Sequence, residues 1–173
     1  MNIVNGNVLL LYKLKFKTTM KKLFITTAIA ALFTANVFAF NAPIKSDDGS
    51  ASASYAAVAK FNNDFVRAQN ATWKITPNFQ KVTFELDGNK MSAFYNVRGE
   101  LIGVTQNVQF KALPEKAKLE IASKYEGYFA QEVIKLDSGD DTTTYFVDLK
   151  KEDKELLVRV TPTAGVYFFQ QVK

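Results

Sequence analysis

Residues 81–105 constrain the fold more than any other part of this chain of 173 residues. Three segments within them alternate apolar and polar side chains, which is the pattern of strands that bury one face. Short turns that contain glycine separate the segments and allow the chain to reverse its direction. The strands are predicted at 81–86, 91–97 and 100–105, with turns at 87–89 and 98–99. This part of the sequence therefore predicts an antiparallel meander of three strands.

The turns of the meander predict which side chains share a face. Counting from a two-residue loop at positions 88–89 places Leu86 opposite Met91, and the next turn places Ile102 beside Tyr95. The face predicted to be covered consists of Val82, Phe84, Leu86, Met91, Ala93, Tyr95, Ile102 and Val104. The side chains predicted to face the other way are Thr83, Glu85, Ser92, Phe94, Leu101 and Thr105.

Two helices and five further strands are predicted outside the meander. Apolar residues at steps of three and four predict a first helix at 54–70, and Trp73 in a short strand is predicted to anchor that helix to the sheet. The second helix is predicted to begin around Pro114, which suits a first turn, and to end before Gly127. The strands are predicted at 72–76, 128–136, 142–150, 155–161 and 165–172.

The order of helix, short strand and meander occurs twice, at 54–108 and 113–172. We therefore predict an α+β fold of tandem helix-plus-antiparallel-meander units, with the helices packed on one face of a curved antiparallel sheet. An alternative with two separate small sheets is less favoured, because a unit of about 55 residues would have a marginal core.

The N-terminal region has the pattern of an export signal. Residues 20–39 combine two lysines, an apolar stretch and a small-residue exit, which is typical of a cleaved signal peptide. A membrane anchor is the alternative, but the apolar run is shorter than the roughly 20 residues that an anchor needs. Residues 1–19 are predicted to come from a mis-set start, and 40–53 to form a flexible lead-in. The expected location is periplasmic or secreted, with no stable membrane span after cleavage.

Composition excludes several classes of function. Five lysines precede Phe40, and the rest of the chain carries 17 basic and 17 acidic side chains, so the basic balance belongs to the leader and does not indicate nucleic-acid binding. The chain contains no cysteine and no histidine. It therefore lacks disulfides, the usual nucleophile–histidine arrangements and the ordinary ligands of zinc and copper.

The run FELDGNKMSAFYNVRGELIGVT, followed by LPEKAKLEIASKY, GYFAQEVIKL and TTTYFVDLKK, resembles the PepSY-like, β-lactamase-inhibitor-like proteins of bacterial envelopes. The resemblance covers about residues 55–171 and lies in scaffold features: the aromatic second strand, the Leu-Pro helix start and the Tyr-x-Gly-Tyr strand entry. It implies an exported domain with helices packed on an antiparallel sheet, in a set of proteins mostly without assigned activity. No cofactor is predicted for this chain. The resemblance assigns no catalytic or inhibitory motif to particular residues of this chain.

The open face of the sheet is the candidate binding site. Alternation places four aromatic side chains there, and aromatic residues dominate binding hot spots. They are Phe94, Phe146, Tyr167 and Phe169. This assignment takes Phe168 and the apolar residues that alternate with the four as core. The alternative is that these rings only stabilise the sheet through cross-strand pairing.

Carboxylates offer two weaker candidates. Asp137, Asp140 and Asp141 could bind calcium, but their spacing is more typical of a solvated hairpin turn. Acid/base pairs can be imagined on the strands, although nothing in the spacing calls for one. They are Glu85 with Glu100 and Glu132 with Asp148.

The sequence thus predicts a non-enzymatic, inhibitor-like module that binds an envelope or secreted protein or peptide. One alternative is a structural or stress-related envelope protein that self-associates through a sheet edge. A glycosidase that uses only carboxylates is a third, less favoured hypothesis.

Overall fold

The computed structural model describes residues 53–172, so the predictions for residues 1–52 lie outside the described part of the chain. The helices are α1 (Tyr55–Asp64) and α2 (Glu115–Lys124), with a 3₁₀ turn at Phe110–Ala112 before α2. The strands are β1 (Gln69–Ile75), β2 (Gln80–Leu86), β3 (Asn89–Tyr95), β4 (Leu101–Asn107), β5 (Phe129–Ser138), β6 (Thr143–Lys151), β7 (Lys154–Val160) and β8 (Val166–Gln171). Neither described helix is long and apolar enough to cross a membrane.

The eight strands form one antiparallel sheet in the order of the sequence, from β1 to β8. Pairing of β4 with β5, from Gly103 opposite Ser138 to Asn107 opposite Ile134, makes the sheet continuous across its middle. The strands β1 and β8 are its two edges.

The predicted α+β class of tandem helix-plus-meander units is wrong, because the fold is dominated by the sheet. Each helix has only ten residues, whereas strand follows strand without interruption across the sheet. The first helix ends at Asp64 and not at position 70, because the chain turns between Phe65 and Ala68 and Asn70 takes a left-handed φ of 54°. The last two residues of the predicted helix, Gln69 and Asn70, instead belong to β1.

The N-terminus of α1 is tied to the sheet by a buried glutamine. The Ser54 hydroxyl accepts a hydrogen bond from the Ala57 amide (3.3 Å), the usual way of satisfying a free amide in the first turn. Gln80 Oε1 accepts from the Ser54 amide (2.6 Å), and Gln80 Nε2 donates to the Asn96 carbonyl (2.9 Å). One side chain of β2 therefore positions both the start of α1 and the loop after β3.

The predicted register between β2 and β3 is wrong by two residues. The two-residue loop is Asp87-Gly88, and Leu86 pairs with Asn89. Asp87 and Gly88 have φ of 52° and 76°, the pair of left-handed conformations that a type I′ turn requires. A shift of two residues keeps every side chain on its face, so the predicted faces of these two strands are unaffected.

The predicted pairing of β3 with β4 is right at one position and wrong at the next. Val104 lies opposite Ala93 as predicted, but Tyr95 pairs with Leu101, and a bulge leaves Ile102 unpaired. The extra residue reverses the alternation. Leu101 consequently packs with the core beneath α1, while Ile102 packs on the opposite face.

Two apolar clusters lie between the helices and the sheet. Beneath α1, Phe61 packs edge-on against Phe84 and Trp73 at centroid distances of 5.0 and 5.7 Å, which confirms Trp73 as an anchor. Beneath α2, Ala117 and Ile121 pack on the last four strands. This helix follows Pro114, and Gly127 beyond its end has a φ of 78°, as predicted.

Candidate binding face

The face of the sheet opposite α1 and α2, called here the helix-free face, carries an apolar cluster of its own. Its buried centre, called here the floor, consists of Phe94, Ile134, Leu136 and Phe146. Three partly buried side chains pack against the floor: Phe79, Ile102 and Phe169. An apolar cluster on the face that neither helix covers is unusual for a sheet in water, where one face is ordinarily polar.

All four predicted site residues lie on this face, at different depths. Phe94 and Phe146 belong to the floor, and the Phe169 ring packs edge-on against Phe146 with 5.1 Å between centroids. Tyr167 is 56% exposed and pairs across the strands with Arg159, which in turn pairs with Phe146. Arg159 therefore lies between the exposed Tyr167 and the floor, and the role of these side chains in binding stays a prediction.

Phe168 was predicted to be core and is 58% exposed, so that prediction is wrong. It lies on the helix side, opposite Val158, but on the edge strand β8. An edge strand has a neighbour on one side only, so alternation alone does not ensure that its side chains are covered.

Charges divide the helix-free face into a basic and an acidic end. At the basic end, Lys81 lies with its Nζ 5.6 Å from the centroid of the Phe94 ring, a cation–π distance. Burial lowers the pKa of Lys81, and the neighbouring Lys74 and Lys90 lower it further. This end of the face, on β1 to β3, is therefore a positive region beside the apolar floor.

At the acidic end, Glu132 of β5 lies directly opposite Asp148 of β6. Asn107 Nδ2 donates a hydrogen bond to Glu132 Oε1 (2.7 Å), whereas Asp148 Oδ1 is buried and accepts no hydrogen bond from residues 53–172. Burial raises the pKa of Asp148 to about 6, and the carboxylate of Glu155 adds to the rise while Lys150 opposes it. Burial also raises the pKa of Glu132, with a further contribution from Asp148.

Sequence reasoning named the Glu132 and Asp148 pair but saw no reason for it. The reason is the register of the hairpin between β5 and β6, where Asp137 pairs with Thr143 around a loop in which Asp141 has a φ of 63°. Counting residue pairs back from Asp137 and Thr143 places Glu132 opposite Asp148. The sequence does carry a signal for this pair. Each acid stands two residues from a floor residue on its own strand, Glu132 from Ile134 and Asp148 from Phe146, so each lies on the same face as the floor.

Replacing Asp148 by asparagine should make the protein more stable at neutral pH. A folded-state pKa above the usual 3.8 means that the carboxyl group stabilises the fold when protonated and loses this contribution as pH rises towards 6. The variant should exceed the parent in free energy of unfolding by about 1–2 kcal/mol at pH 7, a difference that should vanish near pH 4. Urea denaturation between pH 4 and 8 measures it.

The charged groups that face Asp148 are Glu132 on β5, Glu155 and Arg159 on β7, and Lys150 along β6. The matched control is Glu85→Gln, since Glu85 lies exposed on the same face at the other end of the sheet. This control should not raise the free energy of unfolding at pH 7 by more than about 0.5 kcal/mol, as for an ordinary surface substitution. A pH-independent difference for Asp148→Asn would contradict the prediction.

The predicted alternative use of Asp137, Asp140 and Asp141 as calcium ligands has no support in the geometry. Asp137 accepts hydrogen bonds from Lys135 Nζ (2.6 Å) and the Thr143 hydroxyl (2.7 Å), and Asp140 accepts one from the Thr142 hydroxyl (2.7 Å). Residues 53–172 contain no group of three acidic side chains arranged to hold a metal ion. These aspartates order a hairpin loop.

Solved structures resemble this domain in fold. A BLIP-like protein from Bacteroides fragilis is 15% identical, with a TM-score of 0.63 over 73% of this chain and 91% of that one. The domain has a BLIP-like fold. A DUF2874 family protein from Bacteroides uniformis, 14% identical, gives a TM-score of 0.65 over 70% of this chain and 91% of that one.

A third structure, of a protein from Bacteroides eggerthii provisionally described as periplasmic, is 12% identical, with a TM-score of 0.65 over 70% of this chain and 91% of its own. Identities this low concern the fold alone. No protein-family model and no curated protein matches the sequence. The PepSY part of the sequence resemblance therefore stays a prediction.

Proposed function

We propose that this protein is an exported, non-enzymatic binding module that holds a protein or peptide on its helix-free face. The observation that carries the proposal is the apolar floor on a face that neither α1 nor α2 covers, next to the edge strand β8 with its exposed Tyr167. Such a patch suits a partner that brings apolar side chains, with aromatic rings at the centre of the contact.

The BLIP-like fold supports an inhibitor-like role, in which the partner is an envelope or secreted protein. Export is supported by the leader pattern at 20–39 and by the provisional periplasmic description of one protein of the same fold. A binding role also suits a chain without histidine or cysteine, which lacks the commonest nucleophiles and general bases.

Capture of a partner from envelope extract tests the proposal. Protein made from the full chain should retain a partner, and Tyr167→Ser should lose it, because serine removes the exposed ring without opening the core. The matched control is Leu119→Ser, since Leu119 is exposed on α2, on the other side of the sheet. Equal capture by Tyr167→Ser and the parent would contradict the proposal.

Self-association through the edge of β8 is a second candidate, favoured by one observation. The strand VYFFQQ carries no charge and exposes Tyr167 and Phe168, whereas the other edge, β1, carries a lysine. Uncharged, apolar edges are prone to pair with another strand. Sedimentation at increasing protein concentration decides, because an oligomer that Phe168→Lys disperses supports this candidate, and a monomer throughout contradicts it.

A further inference from the structure

The acidic end of the helix-free face has the features of a binding site for a positively charged group. Glu132 and Asp148 pair directly across β5 and β6, and Glu155 lies diagonally on β7, where its charge acts on Asp148. Carboxylates on paired strands repel one another unless a cation is shared between them.

Asp148 gives an independent sign of a binding site. The residue is only 6% exposed, and its Oδ1 atom is buried without a hydrogen-bond partner in the described part of the chain. Lys150 and Arg159 occupy neighbouring positions on β6 and β7, but neither forms an ion pair with Asp148 among the described residues. A buried carboxylate oxygen without a donor costs stability, so such an oxygen in a folded protein calls for an explanation.

We propose that the Glu132 and Asp148 pair receives a lysine or arginine side chain of the protein or peptide that binds the helix-free face. This inference rests on the proposed function and adds the chemistry of the partner. A guanidinium or ammonium group supplies several hydrogen-bond donors, and a carboxylate pair is its natural acceptor. An organic cation also fits better than a metal ion, because no described group of three acids is arranged for a metal.

The surroundings of the pair suit the long aliphatic stem of such a side chain. Asp148 is flanked by Phe146, two residues before it on the same face, and by Leu157, its partner on β7, and both are almost fully buried, so they shield its carboxylate from water. A depression of about 320 Å³ opens beside Glu132, and its lining includes the apolar side chains of Val108, Phe110 and Ala130. Lysine and arginine bury their stems along apolar surfaces of this kind while the charged head reaches a polar group.

Selection of peptides provides the test. A phage-displayed library of random twelve-residue peptides is selected on the parent protein, on Asp148→Asn and on the exposed control Glu85→Gln. Peptides from the parent should be enriched in lysine or arginine. Synthesised copies should bind Asp148→Asn at least about tenfold more weakly, since loss of one partner of a desolvated charge pair mainly speeds dissociation. Binding to Glu85→Gln should stay within about twofold of the parent, as for a rim charge.

The outcomes separate this inference from the proposed function through the variant Tyr167→Ser. Suppose that the selected peptides need Tyr167 but are not enriched in basic residues, or bind Asp148→Asn as tightly as the parent. Such a result overturns the inference and leaves the proposed function standing. If no selected peptide depends on Tyr167, the proposed function fails, and the inference fails with it. Asp148→Asn should itself fold, since the substitution keeps the shape of the side chain and removes a buried charge.

Discussion

Replacing Gly99 by alanine should lower the free energy of unfolding by about 2–5 kcal/mol. Gly99 has a φ of 83°, a conformation that costs an L-residue about 1–2 kcal/mol. An added Cβ atom would also lie only 2.7 Å from both the Cβ atom of Ala56 and the amide nitrogen of Ala57. The loop between β3 and β4 would therefore have to move away from the first turn of α1, which disturbs the packing beneath that helix.

The matched control for this prediction is Gly88→Ala in the preceding turn. Gly88 has a similar φ of 76°, but its added Cβ atom would have nothing within 4 Å. The free energy of unfolding of this variant should fall only by the cost of the left-handed backbone conformation, about 1–2 kcal/mol. Urea denaturation of both variants at 25 °C isolates the cost of the close approach to α1. Equal losses would show that the loop does not press against the helix.

The sequence predicted strands well, because alternation depends only on which side chains meet water. It predicted register poorly, because register depends on which residues of a turn accept left-handed conformations. The run Asp87-Gly88-Asn89 is compatible with two different two-residue loops, and the structure uses the first pair. The unpaired Ile102 was also unpredictable, since a bulge follows from how two strands fit together.

The candidate site shows a similar limit. The sequence predicts on which face of the sheet a side chain lies, but not how deeply it is buried. Alternation placed Phe94, Phe146, Tyr167 and Phe169 on the helix-free face, where they lie. It could not tell that Phe94 and Phe146 are buried while Tyr167 is exposed, because the depth of a ring depends on which side chains of the neighbouring strands cover it.

The prediction of the fold class was wrong for a related reason. Helical spacing predicted too long a first helix, and the tertiary pairing of β1 overrode that local pattern.

Replacing Phe84 by alanine should lower the free energy of unfolding by about 3–5 kcal/mol. The side chain is 1% exposed on β2, and its ring lies 5.0 Å from that of Phe61 and 4.7 Å from that of Phe65. Alanine would leave a cavity at the point where α1 meets the sheet, and a ten-residue helix has few other contacts with which to close it. The melting temperature should fall by roughly 10–20 °C for a domain of this size.

The control for the cavity is Phe129→Ala, since Phe129 lies on β5, inside the same sheet, but is 56% exposed. Its loss should stay near about 0.5 kcal/mol, as for an ordinary surface substitution. Phe84→Leu should fall between the two variants, because leucine refills part of the volume. Similar losses for Phe84→Ala and Phe129→Ala would contradict the packing of α1 on β2. That packing keeps α1 off the other face of the sheet, so the binding proposal depends on the same result.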